Sequence, residues 1–206
     1  MINKELKKRI LSSIIFIPIS FFFIFEGSIT FIFFLTIIFL AIAFEWLRMT
    51  QKKDLIRILG IFFLLFSFYS AIYLRQYIGL NFFLFLIIVC IFTDIGGYIF
   101  GNIIKGKKLT TISPNKTYAG MFGSFICSLI ICTLFIIYFN FSINFIFFTL
   151  LISLVSQVGD LFISYLKRKA NIKDTGNFLP GHGGLLDRLD GIIFAIPLGI
   201  KIFIFF

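Results

Sequence analysis

Residues 164–190 read SYLKRKANIKDTGNFLPGHGGLLDRLD and separate two long apolar runs of the chain. This segment contains three aspartates, the only histidine, five Lys or Arg residues and a Gly-His-Gly-Gly turn. The sequence on either side is nearly continuous Phe, Ile and Leu. The contrast predicts a membrane-embedded body whose chemistry is concentrated in one polar segment.

Composition supports a membrane location. The chain has 206 residues, of which 60% are hydrophobic, 33 are Phe and only 14% are charged. Several runs of about 17 or more apolar residues are long enough to cross a bilayer, and a soluble domain of this length does not need so many. We therefore predict an all-α, polytopic integral membrane protein. The three cysteines lack CxxC or Cys/His spacing, which indicates apolar packing rather than disulfides or zinc.

About seven transmembrane helices are predicted, in a single domain over residues 1–206. The predicted spans cover residues 10–25, 29–47, 58–74, 80–104, 118–139, 145–166 and 191–206. The first run follows a basic segment, as in a signal peptide, but no small-residue cleavage pattern follows it, so we predict an uncleaved span. Two polar loops, residues 105–117 and 167–190, are expected to carry the site.

Basic residues are distributed unevenly among these loops. If the amino terminus is cytoplasmic, 17 of the 19 Lys and Arg residues lie on the cytoplasmic side, in keeping with the positive-inside rule. They are Lys4, Lys7, Lys8, Arg9, Arg48, Lys52, Lys53, Arg57, Lys105, Lys107, Lys108, Lys116, Lys167, Arg168, Lys169, Lys173 and Arg188. We therefore predict a multi-pass protein of the inner, cytoplasmic membrane with both site loops facing the cytoplasm.

The net charge of +10 does not call for nucleic acid. Topology and attraction to anionic lipid headgroups account for it. A nucleic-acid binder would also need a soluble basic surface, and this sequence predicts none. The partner expected from the charge is the lipid bilayer.

Acidic residues carry more information. Five of the nine are the aspartates Asp94, Asp160, Asp174, Asp187 and Asp190. Asp94 and Asp160 lie inside apolar runs, where a carboxylate costs about 2.5–3.5 kcal/mol on insertion scales. Either a salt bridge between helices or a cation site would offset that cost, and Mg²⁺ prefers such oxygen ligands. The other four acidic residues, Glu45 among them, lie at span ends or in loops and are interpreted as solvated or interfacial charges.

Spacing favours the cation site. Asp187 and Asp190 are three residues apart and, if helical, share one face at the first turn of the last span. Asp160, Ser164 and Lys167 or Arg168 fall on one stripe of the sixth span. A surface of this kind suits a metal-bound polyphosphate, with basic groups stabilising the charge that develops during phosphoryl or nucleotidyl transfer.

The turn at residues 180–184 and a glycine pair upstream add weaker signals. Glycines Gly183 and Gly184 give the backbone freedom for its amides to approach phosphate oxygens before a helix begins. His182 is open to two interpretations, a hydrogen-bonded structural residue or a general base. Further upstream, Gly97 and Gly101 predict close helix packing, and we predict a site role for Asp94 beside them.

Seventeen positions of the polar segment form one pattern. They are Ser164, Leu166, Lys167, Arg168, Lys173, Asp174, Gly176, Leu179, Pro180, His182, Gly183, Gly184, Leu185, Asp187, Arg188, Leu189 and Asp190. This pattern resembles the signature of the phosphatidate cytidylyltransferases, also called CDP-diacylglycerol synthases. Weaker features of that family are residues 45–47, residues 94–101 and Ser113-Pro114 with Lys116-Thr117.

The resemblance implies a reaction that joins CTP to phosphatidate, giving CDP-diacylglycerol and pyrophosphate with Mg²⁺, and it leaves a second, monovalent cation and a homodimer open. It implies metal ligation by Asp187 and Asp190 together with Asp160, Asp94 and Asp174. Phosphate contacts are implied for Ser164, Lys167, Arg168, Lys173, Arg188, Gly183 and Gly184. The nucleotide or lipid-phosphate side would be lined by Ser113, Lys116 and Thr117, and His182 would orient or bind phosphate rather than act as a strong base.

Two other functions stay open at this point. One is a different membrane transferase that uses CTP or CDP-lipids; the CDP-alcohol phosphotransferases carry another aspartate-rich pattern that is missing here. The other is a cation transporter. A transporter is expected to hold its carboxylates near the bilayer midplane in broken helices, whereas Asp174, Asp187 and Asp190 lie in or beside a basic loop.

Overall fold

The computed structural model describes residues 4–51, 53–110, 112–178, 181 and 183–204. Within these ranges the regular elements are helices, and an isolated β-bridge joins Lys108 to Thr117. The helices are α1 Lys4–Glu26, α2 Ser28–Met49, α3 Asp54–Tyr73, α4 Leu80–Ile103, α5 Tyr118–Phe139, α6 Phe145–Lys169 and α7 Leu186–Ile204. The predicted all-α class is confirmed. Helices suit such apolar sequence because each satisfies its backbone polar groups internally, without water.

In the part of the chain that the structure describes, five helical segments are long and apolar enough to cross a membrane. They are Ser28–Met49, Asp54–Ile78, Leu80–Ile103, Tyr118–Phe139 and Phe145–Lys169. The second of these is α3 together with a π-helical turn that follows it, Leu74–Ile78. Helix α7 carries four charged residues among its 19, and the apolar part of α1 is shorter. The chain is therefore a multi-pass membrane protein, while the count of seven spans stays a prediction.

The observed helix bounds agree best with the predicted spans where no charged residue lies at the end of the apolar run. Helix α5 covers the predicted residues 118–139. Helix α6 continues three residues beyond the predicted span, so Lys167 and Arg168 are helical rather than part of a loop. Helix α7 begins five residues earlier than predicted, which places Asp187 and Asp190 in its first turns, as their spacing indicated.

The chain divides into two compact units. The first comprises Met1–Leu80 and Leu166–Leu189, and the second comprises Asn81–Tyr165 and Asp190–Phe206. The chain passes from one unit to the other three times, each time within a helix: at the start of α4, near the end of α6 and in the first turns of α7.

The first unit packs α1, α2 and α3 around aromatic and capping contacts. At one end, the Trp46 indole donates to the carbonyl of Arg57 at 3.2 Å and lies against Gly60, where a Cβ would clash with the ring. At the other end, Arg75 donates to the last carbonyls of α1, Ile24 O at 2.6 Å and Phe25 O at 2.9 Å. Arg75, one of the two basic residues outside the predicted cytoplasmic set, thus caps a helix.

The second unit depends on small residues between α4 and α5. A Cβ on Gly96 would collide with the carbonyl of Gly123, and one on Gly97 would lie 2.9 Å from Ser124 Oγ. This is the close helix approach that the glycine pattern indicated. Buried hydroxyls cross-link the same helices, because Ser124 Oγ donates to the Thr93 carbonyl at 2.7 Å.

Candidate active site

The segment between α6 and α7 is a short loop with glycine-dependent backbone. Gly181 and Gly183 have φ values of 80° and 86°, in the left-handed region that favours glycine. A Cβ on Gly183 would lie 3.3 Å from Asp187 Oδ2 and 3.4 Å from the Cβ of Asp174. The loop therefore folds back on the carboxylates that the sequence pattern singled out.

Asp187, in the first turn of α7, accepts hydrogen bonds from this loop and forms an ion pair with α6. Its Oδ2 accepts from the Thr175 amide at 2.8 Å, the Gly184 amide at 3.0 Å and the Thr175 hydroxyl at 3.1 Å. Its Oδ1 accepts from Lys167 Nζ at 2.7 Å, an ion pair whose side chains are 12% and 7% exposed. One oxygen is thus fixed largely by backbone, while the other faces a cation on a flexible stem.

Glu45, near the end of α2, reaches the same loop. It is 4% exposed and accepts from the amides of Leu185 at 2.9 Å and Leu186 at 2.8 Å, where α7 begins. The Thr175 hydroxyl lies 2.9 Å from Glu45 Oε2, so its single proton is shared between Glu45 and Asp187. The interpretation of Glu45 as a solvated or interfacial charge is therefore wrong: the carboxylate is buried and caps a helix far away in sequence.

The other predicted residues of this segment lie around these two carboxylates in different settings. Arg168, Lys173, Asp174 and Arg188 are exposed, and Gly184 is buried. A Cβ on Gly184 would collide with the Thr175 hydroxyl, so glycine is needed there for packing. His182 lies outside the described residues, as does Pro180.

In the second unit, Asp160 on α6 pairs with Lys116, which lies just before α5. Ser164 Oγ lies 3.5 Å from Asp160 Oδ1, one turn along the helix, so Asp160 and Ser164 share a face as predicted. A salt bridge is thus present at Asp160, although its lysine lies in a loop and not on a second helix as in the alternative that we weighed. It does not exclude a cation, because a divalent ion and an ammonium group compete for the same oxygens.

The loop before α5 is held mainly by its backbone. Lys108 and Thr117 form the isolated bridge, and the amide of Lys116 donates to the carbonyl of Ser113 at 3.0 Å. The Thr117 hydroxyl accepts from the Gly120 amide at 3.1 Å and so caps α5. Of the predicted residues Ser113, Lys116 and Thr117, it is Lys116 whose charged group contacts another predicted site residue, Asp160.

Asp94 and Asp190 belong to the second unit and differ in burial. Asp94 is exposed on α4. Asp190 is 8% exposed, and its Oδ1 accepts from the amide of Gly191 at 2.8 Å. Among the residues that the structure describes, no group of three or more His, Cys, Asp or Glu side chains is placed to hold a metal ion. The five-aspartate metal set stays a prediction.

Comparison with known proteins places the chain in a family. A model described as the cytidylyltransferase family matches residues 54–206, about three quarters of the sequence. The chain belongs to the cytidylyltransferase family. The predicted site residues all lie within the matched part, whereas Glu45 lies before it.

Individual members of this family are similar over part of the chain. Proteins named phosphatidate cytidylyltransferase from Staphylococcus saprophyticus, Staphylococcus haemolyticus and Staphylococcus aureus are 44%, 43% and 42% identical over 124 residues. Each match covers 58% of this chain and 48% of the relative. The chain spans about half the length of the curated relatives it matches.

Proposed function

We propose that this chain transfers a cytidylyl group from CTP to phosphatidate, giving CDP-diacylglycerol and diphosphate. The observation that supports it most strongly is the match of residues 54–206 to the cytidylyltransferase family, which includes the 17-residue pattern around Asp187. The relatives that share this region are named for that activity. The apolar helices suit a substrate that stays in the bilayer.

The reaction needs charge compensation more than acid–base chemistry. A phosphate oxygen of phosphatidate attacks the α-phosphorus of CTP, a new P–O bond forms, and the bond to the β-phosphate breaks to release diphosphate. The nucleophile is already an anion, so no strong base is required. We assign the basic residues of the segment, Lys167, Arg168, Lys173 and Arg188, to the phosphates that must approach one another.

Mg²⁺ is the metal we propose, held by carboxylates drawn from Asp187, Asp190, Asp160, Asp94 and Asp174. These are oxygen donors of the kind that Mg²⁺ prefers. Asp187 fits in detail: its Oδ1 has a lysine as its partner, which can move aside, while Oδ2 is kept in place by two amides and a hydroxyl. When bound, the ion would neutralise phosphate charge and orient the reacting groups.

The proposal also includes a topology: the amino terminus is cytoplasmic, the chain has about seven spans, and the protein lies in the inner membrane. Within the first unit, the hydrogen bonds that Glu45 accepts bring the polar segment to the end of α2. Arg48 lies on that end, and Lys53 and Arg57 follow just before and in the first turn of α3. The opposite end has Arg75, which is committed to capping α1. This asymmetry supports a cytoplasmic site under the positive-inside rule. A homodimer and a second, monovalent cation stay predictions.

A direct assay tests the function. Purified chain in lipid nanodiscs receives labelled CTP, phosphatidate and Mg²⁺, and both release of diphosphate and label in the lipid fraction are measured. We expect both products in equal amounts and their loss with a chelator, restored by added Mg²⁺. Label transferred to a different lipid acceptor would indicate another CTP-using transferase. Cation flux into vesicles without diphosphate release would indicate a transporter and overturn the proposal.

A further inference from the structure

Glu45 connects a transmembrane helix to the loop that carries Asp187. Its three hydrogen-bond donors, the amides of Leu185 and Leu186 and the hydroxyl of Thr175, are all neutral groups. Partial positive charge at a helix start favours a carboxylate there. A carboxylate from α2 thus caps the first amides of α7.

Two routes lead from Glu45 to Asp187. The first is the Thr175 hydroxyl, which lies 2.9 Å from Glu45 Oε2 and 3.1 Å from Asp187 Oδ2. The second is α7 itself, since the amides that Glu45 holds directly precede Asp187 in the chain. The first route ends on the carboxylate of Asp187 and the second on its backbone, so displacement of Glu45 would move Asp187 through two connections.

Glu45 is itself held in place. Its neighbour Trp46 is fixed to α3 by the bond to the Arg57 carbonyl and by contact with Gly60. On the loop side, glycines allow the carboxylate to approach closely: a Cβ on Gly176 would lie 2.6 Å from Oε1, and one on Gly184 would lie 2.6 Å from Oε2. Glu45 is therefore held from the α3 side through Trp46 and from the loop side by the close approach of the glycine backbone.

We infer that Glu45 is a positioning residue for the transferase site, setting the place of Asp187 through Thr175 and the first amides of α7. Glu45 acts without touching the reacting phosphates. It lies before the segment that matches the family model. The inference rests on the proposed function for its kinetic consequence, but its structural consequence can be measured without turnover.

The kinetic test uses Glu45→Gln, Thr175→Val and Thr175→Ser, with Glu26→Gln as a control that removes an exposed carboxylate at the far end of α1. We expect Glu45→Gln and Thr175→Val each to lower kcat by about 10- to 100-fold, as loss of outer-shell partners does in metal sites. KM for CTP should change little. Thr175→Ser keeps the hydroxyl and should retain most activity, and Glu26→Gln should behave as the parent chain.

A double variant separates positioning from general damage. If Glu45 acts partly through Thr175, Glu45→Gln combined with Thr175→Val should lose less activity than the product of the two single losses. Independent losses that multiply fully, a Thr175→Ser variant as weak as Thr175→Val, or a Glu45→Gln variant within twofold of the parent chain would each overturn the inference.

Hydrogen exchange provides the readout without activity. The Thr175 and Gly184 amides donate to Asp187, so they report its position directly. Peptides from residues 170–189 should exchange faster in Glu45→Gln than in the parent chain or in Glu26→Gln, while α4 and α5 stay protected. Unchanged exchange there would overturn the inference. An inactive parent chain with the expected exchange pattern would instead count against the proposed function alone.

Discussion

Asp187 and Asp160 are both predicted site carboxylates, and each is held in a different way within its own unit. Three of the four bonds to Asp187 come from backbone amides and a hydroxyl of the loop before α7. Asp160 meets side chains only, the ammonium of Lys116 and the hydroxyl of Ser164. Backbone donors cannot swing away, whereas a lysine can exchange partners at little cost.

This difference separates a fixed carboxylate from an adaptable one. A preorganised group needs no rearrangement when charge develops in a transition state, so its removal costs the most. An adaptable group can release its lysine to a substrate phosphate and take a cation instead. We therefore expect the site to lose activity in a graded way, most at Asp187 and least at exposed basic residues.

The largest loss is expected from Asp187→Asn. The substitution would place an amide opposite the donors of Thr175 and Gly184, and it would remove the negative charge that Lys167 neutralises. Turnover should fall by about a thousand-fold or more, at or beyond the upper end for loss of one charge-stabilising group. Membrane insertion and expression should stay normal, as should the activity of Asp54→Asn, which removes an exposed carboxylate at the start of α3. Normal turnover in Asp187→Asn would remove Asp187 from the site.

Lys167→Met should have the next largest effect. It leaves the Oδ1 atom of a nearly buried carboxylate without its cation, and breaking such a pair from one side costs about 2–5 kcal/mol where it has been measured. We expect activity to fall by about 100-fold, with a lower melting temperature. The matched change Lys169→Met removes the same charge from an exposed side chain two residues further along α6 and should cost far less. Equal losses in the two variants would show that only the net charge of the helix end matters.

Most of the fold was predictable because long apolar runs have few alternatives in a membrane. The bounds of α5 agree residue for residue, since the Thr117 cap and Asn140, with a positive φ of 54°, are both visible in the sequence. The start of α7 was predicted five residues late. Its first turn is charged, and the carboxylate that stabilises it comes from Glu45, some 140 residues earlier in the chain.

Glu45 shows why the rest of the site was harder to predict. Its partners are two backbone amides and one threonine, which leave no charge pattern in the sequence. A glutamate at the end of an apolar run is usually interfacial, and that general rule gave the wrong interpretation. The available signal was the Glu45-Trp46 pair, a weak feature of the resemblance whose tryptophan turns out to anchor the end of α2.

Asp160→Asn tests the adaptable half of the comparison. Because Asp160 is held by Lys116 and is 29% exposed, its loss should be partly absorbed by solvent and by the freed lysine. We expect activity to fall by about tenfold, with KM for the nucleotide or the Mg²⁺ requirement rising more than kcat falls. Asp160→Asn combined with Lys116→Met shows whether the pair acts as a unit. A loss of activity as large as that of Asp187→Asn would show that Asp160 is as firmly held as Asp187, and it would contradict the distinction between a fixed and an adaptable carboxylate.

Lys173→Ala is expected to have the smallest effect. The side chain is exposed in the loop between α6 and α7, one residue before Asp174, so it acts on incoming phosphates through a well-screened charge. We expect a threefold rise in KM, which corresponds to a loss of about 0.7 kcal/mol of binding free energy. This is within the usual range for an exposed charge interaction. The rise should shrink at high ionic strength, and Lys53→Ala, which removes equal charge before α3, should not produce it. If the kinetics of Lys173→Ala match the parent chain at every salt concentration, Lys173 sets topology alone, and the basic groups that meet substrate are limited to those nearer Asp187.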